Sequence, residues 1–364
     1  MNARLEKTDL TLGFVALTDC ALLAVAKETG LFEAEGLDVH LSRDVSWANI
    51  RDKVAGGALD GAHMLAPMAL ALTLGVGGEA VPMIAPMALN ANGSSISLSA
   101  AVAAAVQALD PAAAERTPRT AHVLKRLIDA RKAAGERPLT FAVVFPYSLH
   151  NYMLRYWLAE AGVDPDRDVR ITVTPPPRMA ARLAAGEVDG VCVGAPWGGA
   201  VEASGTGRMV LLGAEFWPGA PDKVLGVTAA WAKAHPETLK AVLRALVRAS
   251  AWAESNEDAV AALLARPHYL DTPRQTLGRA LSHANPFGIR FIDGGAGLPR
   301  PEHALWLLSQ MRRWGQVEWA PGQEAAAIAV YSPDLYREAV SATGVSAPEP
   351  GPLGALFDGT TPAQ

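Results

Sequence analysis

Cysteine is nearly absent from this chain of 364 residues, with only Cys20 and Cys192 present and far apart. No CxxC pair and no Cys/His cluster at ligand spacing occurs, so neither a disulfide framework nor a metal site is expected. A basic excess is missing too. The 32 Lys and Arg fall short of the 37 Asp and Glu, and a net charge of −5 argues against direct contact with nucleic acid. Long apolar runs are also lacking. Stretches such as Met64 to Val76 fall short of the ~20 helical residues that cross a bilayer, so no membrane partner is expected. The start, MNARLEKTDLTLGFVALTDC, is broken by Glu6, Lys7 and Asp9, and so lacks the unbroken apolar core of a secretory signal. Read as full length, the chain is expected in the cytoplasm. What is present is 50% apolar and 19% charged, the composition of a folded protein, and the length favours two lobes over one.

Two segments repeat. Gly57 to Pro67 reads GALDGAHMLAP, and Gly186 to Pro196 reads GEVDGVCVGAP. Each follows a similar series: a strand-like run (Leu10 to Leu17; Leu139 to Phe145), a helical pattern (Cys20 to Thr29; Asn151 to Ala161) and a glycine turn. A second strand (Leu37 to Leu41; Val169 to Val173) and a second helix (Trp47 to Ala55; Arg178 to Ala185) complete it. Such alternation predicts parallel strands with right-handed crossovers, and two copies predict two α/β lobes. A single dinucleotide-binding sheet is the competing arrangement, but the first loops, ALTDCA and FPYSLHN, are not GxGxxG.

In open parallel sheets, ligands bind beyond the carboxyl ends of the strands. Those ends are the loops Thr18–Cys20, Ser46–Trp47 and Ala66–Pro67 in the first copy, and Pro146–His150, Pro175–Pro177 and Gly194–Trp197 in the second. Facing lobes would bring all of them to one cleft. Val81 to Ala88 and Ser95 to Ser99 read as strands around the turn Asn90 to Ser94. Asp110 to Arg119 reads as a connection, and Val210 to Leu212 and Val224 to Thr228 as strands returning to the first lobe. Residues 236–323 read as mostly helical. The expected lobes are 1–95 plus 221–343 and 96–220, with 344–364 an extended tail.

His150 lies where an apolar run meets a helix start, so it could be a core residue or a donor to a bound anion. As a general base or metal ligand it would want companions, and none stands nearby in sequence. His63, on a strand of the first repeat, reads as packing. Trp47 could wall a cleft with one N–H donor, and Trp197 could pack between lobes. Lys223, in APDKVLG, is the only basic residue of its stretch. Cys20 would be a nucleophile only with partners that the sequence does not show, and reads as a small buried residue.

Taken together, GFVALTDCALLAVAKETGLF, SWANIRDKV, LDGAHMLAPM, LNANG, FPYSLHNYMLRYWLAEAG, GEVDGVCVGAPW and APDKVLGV resemble the nitrate- and bicarbonate-binding solute receptors of ABC transporters. The resemblance runs from about Leu10 to Trp319. It implies a class II periplasmic-binding fold, α/β, closing over its ligand, with no cofactor and no catalysis. By position it assigns ligand contacts to Trp47, Ser94, His150, Gly194 and Lys223. Ser94 and Ala195 depart from the pattern, where a glutamine and a glutamate usually stand; Lys223 implies nitrate or nitrite over bicarbonate. With no export signal read, the resemblance points to the cytoplasmic nitrate/nitrite sensor of two-protein systems, whose partner is an antiterminator response regulator of the RNA-binding ANTAR type. The alternatives are an ABC-transporter receptor for nitrate or bicarbonate, and an enzyme on the same fold such as a desulfinase built around Cys20.

Overall fold

The computed structural model describes residues 4–114, 119–285 and 288–362. The connection expected over 110–119 therefore lies partly outside the described residues. Among the described residues, ten strands form two five-stranded sheets. The first sheet contains β1 (Asp9–Val15), β2 (Asp38–Asp44), β3 (Gly61–Leu65), β4 (Met83–Ala91) and, much later in the chain, β10 (Pro221–Thr228). The second contains β5 (Ser94–Ser99), β6 (Thr140–Val143), β7 (Arg170–Val173), β8 (Gly190–Gly194) and β9 (Gly207–Leu212).

Their orders, β2-β1-β3-β10-β4 and β7-β6-β8-β5-β9, are the same topology twice. In each, three parallel strands come from one repeat, and an antiparallel strand enters next to the third. The alternation of strand and helix therefore predicts the parallel part well. The inserted strands β5 and β10 come from the two crossings between lobes, which lack that alternation. The strand expected at Val210 to Leu212 does not return to the first lobe: as β9 it pairs with β5, and only β10 crosses back.

The first crossing is short. Asn92 and Gly93 take positive φ, 66° and 92°, between β4 and β5, so the chain turns sharply without forming a hairpin. Ser99 and Ser46 cap the helices Ala100–Leu109 and Trp47–Ala55, accepting from the N–H groups of Val102 and Asn49. Ser148 does the same for helix Leu149–Glu160 through Asn151 N–H, which puts His150 inside the first turn, not before it.

One apolar cluster includes Phe141, Tyr152 and Trp157 of the second lobe with Trp47, Met64 and Met68 of the first. Another packs β1 and helix Ala21–Glu28 against the helix Pro236–Ser255. The tail is draped over the body: Phe357 N–H donates to Phe216 O, and Tyr156 Oη donates to Asp358 at 2.9 Å. Among the described residues no helix is long and apolar enough to cross a membrane.

Helix Pro236–Ser255 also holds a titrating latch. His283 faces Glu254 through Nε2 at 2.9 Å and Glu257 through Nδ1. Partial burial opposes its charge, but the hydrogen bonds that its ring N–H groups donate to the two glutamates outweigh that and raise its pKa. A raised pKa adds stability below the unfolded value of about 6.5, and that stability is lost as pH climbs through the folded value. The melting temperature of His283→Gln should therefore lie furthest below the parent's at pH values under the unfolded imidazole's and converge with it as pH rises through the raised folded value. A gap that stays constant with pH would remove the latch.

Candidate functional site

The loops that follow β1 and β2, together with the start of β10, face the start of helix Leu149–Glu160 and the end of β8 across the two lobes. All five residues assigned by resemblance are buried here: Trp47, His150 and Lys223 are at most 1% exposed, Ser94 is 3% exposed, and Gly194 is buried. Their partners define the site. Lys223 Nζ lies 2.9 Å from Asp19 Oδ2 and 2.7 Å from Asp222 Oδ1. Asp19 Oδ1 lies 2.6 Å from His63 Nε2. Across the cleft, Ser94 Oγ donates to Asp222 Oδ2 at 2.8 Å and is 3.1 Å from His150 Nε2. Because the single Ser94 proton is committed to Asp222, His150 donates its Nε2–H to Ser94 and keeps a bare Nδ1.

Electrostatics fix the charge states. Burial pushes the His150 pKa down to about 4, with the nearby carboxylates opposing and Lys223 assisting, so the ring is neutral. Burial would also strip the proton from Lys223, but the fields of Asp19 and Asp222 win and raise its pKa. Burial pushes the other way on Asp19, yet Lys223 and His63 hold it well below the usual carboxylate range. The Lys223 ammonium sits 5.6 Å above the Trp47 ring, whose centroid is 5.3 Å from that of His63.

Three of these residues were missed or misread from sequence. Asp19 sits in the short 3-10 turn Thr18–Cys20, one position before the cysteine that drew attention; the repeat places this loop where the second copy has His150. His63 was expected to be packing and instead pairs with Asp19. Asp222 is hidden by a bulge: Pro221 pairs with Ala91 and Lys223 with Asn90, leaving Asp222 without a cross-strand partner. Neighbours on a regular strand point to opposite faces, and the bulge lets both Asp222 and Lys223 reach the cleft. Cys20 is buried and its thiol is pushed far above its ordinary value, chiefly by burial and also by Asp19, which removes the nucleophile reading.

Not every expected loop converges. Ala66 O faces Tyr331, and the turn at Pro175–Arg178 bonds locally. Trp197 does span the lobes, donating from Nε1 to Ala16 O at 2.9 Å, beside Thr18 N–H, which donates to Ala195 O. Ser94 and Ala195, the two departures from the resembled pattern, both line a cavity of about 260 Å³ between helices Trp197–Ala203 and Arg274–Leu281. A possible cation cluster, Glu254 with His283 and Asp293, lies elsewhere; His283 already has both ring nitrogens bonded to glutamates.

Two lobes of one topology, meeting at a buried cluster of donors contributed by both, define a solute-binding protein of the periplasmic-binding type. The chain belongs to the NMT1-like family, whose model matches residues 3–266. It is 34% identical over 383 residues to the nitrate/nitrite binding protein NrtA of Synechococcus elongatus, covering 98% of this chain and 84% of that protein. It is 35% identical over 353 residues to the nitrate import ATP-binding protein NrtC of Synechocystis, covering 92% of this chain; it spans 50% of that longer relative. The crystal structure of the periplasmic nitrate-binding protein NrtA from Synechocystis superposes with a TM-score of 0.86 at 28% identity, covering 98% of this chain and 96% of that one.

Proposed function

We propose that this chain binds a small planar oxyanion, nitrate or nitrite, in the cleft and serves as the receptor of an ABC-type import system. One observation carries the reading: buried donors from both lobes meet at one point. Lys223 has three N–H bonds and two neighbouring carboxylates, and Trp47 Nε1 has no partner among the described residues. His150 Nε2–H and the Ser94 hydroxyl face them from the second lobe. Nitrate is a very weak base and stays anionic, so it needs fixed donors and a permanent charge, not proton transfer. Lys223 supplies the charge, Trp47 excludes water, and a ligand touching both lobes favours the closed form.

Similarity to nitrate-binding NrtA and nitrate-import NrtC supports this reading, and favours an import receptor over the cytoplasmic sensor expected from sequence. The sensor remains a second reading on one observation, the likeness of FPYSLHNYMLRYWL to that branch. There, closure would weaken the grip on an antiterminator by the same factor that the antiterminator weakens the anion. Nitrate-stimulated ATP hydrolysis by a reconstituted importer supports the receptor; nitrate relief of antiterminator inhibition in a transcription assay supports the sensor.

The anion itself is tested by thermal melting with nitrate, nitrite, bicarbonate and sulfate. Nitrate or nitrite should raise the midpoint in proportion to the logarithm of its concentration above Kd, and tetrahedral sulfate should not. A midpoint that none of the four moves ends the oxyanion reading.

A further inference from the structure

The carboxylate of Asp222 already does what a bound oxyanion would have to do. Its Oδ1 lies 2.7 Å from Lys223 Nζ in the first sheet. Its Oδ2 accepts from Ser94 Oγ at 2.8 Å and lies 3.9 Å from His150 Nε2, both in the second lobe. The side chain is fully buried. A carboxylate is planar, carries one negative charge and presents two oxygens on one central atom. Nitrite does the same, and so does any pair of oxygens in nitrate. The bulge at Pro221/Lys223 frees Asp222 from the strand ladder and lets it reach this place.

We infer that Asp222 is an internal ligand: it holds the oxyanion's place between the lobes and must be displaced before an external anion binds. This rests on the oxyanion reading above and deepens it. An anion set between Lys223 and His150 with Asp222 still in position would meet a like charge at contact distance, where little water is present to screen it. Binding is therefore exchange, not addition. Exchange lowers the affinity of every ligand, and it selects among them. A ligand recovers the loss only by replacing both the charge and the two-lobe span, which a planar O–X–O anion does and a spherical halide does not. Free carboxylates such as formate enter the ligand class on the same ground. Asp19 plays no such part, because its partners, Lys223 at 2.9 Å and His63 at 2.6 Å, both belong to the first lobe.

The variant Asp222→Asn keeps the size and removes the charge. Calorimetric titration should show nitrate binding to it at least about tenfold more tightly than to the parent, the scale of a surrendered charged hydrogen bond. Small-angle scattering should show the unliganded variant more extended than the unliganded parent, and compacting when nitrate is added. Asp222→Ala should bind formate at concentrations that leave the parent unoccupied. A folded Asp222→Asn with weaker or unchanged nitrate affinity overturns the inference, because Asp222 would then be a support for Lys223. If neither substitution folds, the carboxyl carbon resonance of Asp222 in the labelled parent decides: it must move on saturation with nitrate, and a resonance that stays put overturns the idea. Weaker nitrate binding by the variant in a parent that does bind sinks this inference alone. Parent and variant both blind to nitrate, nitrite and formate would sink the oxyanion reading with it.

Discussion

Replacing Lys223 with alanine is expected to abolish oxyanion binding and to destabilise the fold by about 3–5 kcal/mol, the usual consequence of removing one partner of a buried ion pair. The ammonium is fully buried between two carboxylates that are themselves at most 2% exposed. Without it, Asp19 keeps His63, whereas Asp222 keeps only the Ser94 hydroxyl and a neutral imidazole. An exposed pair such as Lys132 with Asp168 offers a contrast, since solvent screening holds such pairs near 0–1 kcal/mol.

The pH dependence gives a second readout. In the parent, the depressed Asp19 pKa contributes stability that is complete above its unfolded value of about 3.9 and fades as pH falls through the lower folded value. Losing Lys223 removes the larger of the two fields that hold that pKa down, so acid unfolding should begin at higher pH in the variant. Urea melts at neutral pH together with melting temperatures across the acid range measure both effects. Lys223→Met, which restores the packing volume, should recover part of the stability and none of the binding. An alanine variant that melts like the parent would mean the charges are far better hydrated than their burial implies.

Gly194→Val is expected to weaken oxyanion binding about 5- to 150-fold, equivalent to roughly 1–3 kcal/mol of opposition to closure, while leaving each lobe folded. A Cβ at this position would stand 2.8 Å from Leu17 Cδ2 of the first lobe and 3.4 Å from His150 Nε2. The Leu17 methyl can yield a few tenths of an ångström to alanine, but not to the two branches of valine. Gly194 ends β8, where a β-branched residue suits the extended backbone, so the second sheet gains or loses little. Calorimetry should show the affinity loss, and scattering should show a chain that no longer compacts with ligand. Full affinity in the valine variant would place the ligand outside this contact.

Much of the architecture is legible because it follows from periodicity. The repeat GALDGAHMLAP/GEVDGVCVGAP marks β3 and β8, and helix Trp47–Ala55 falls at the expected bounds because Ser46 caps it. His150 and Lys223 were found through resemblance, since a lone histidine and a lone lysine carry no period. What stayed hidden is the carboxylate pair. Asp19 and Asp222 look like ordinary surface acids in sequence, because nothing local tells which acid a cation across the fold will draw inside. Asp222 was masked twice, by its place beside Lys223 on a strand and by a bulge that cancels the alternation on which the sequence reading depends.

The depth of the cleft also sets a clock. With Trp47, Ser94, His150 and Lys223 at most 3% exposed, no ligand leaves the closed form directly, and departure waits for the lobes to part. Residence times of nitrate and nitrite should therefore follow how fast each liganded form opens, and opening must first break the contacts by which the anion bridges the lobes. The anion that bridges the lobes more firmly would then stay longer, so discrimination between the two would be written into escape more than into arrival.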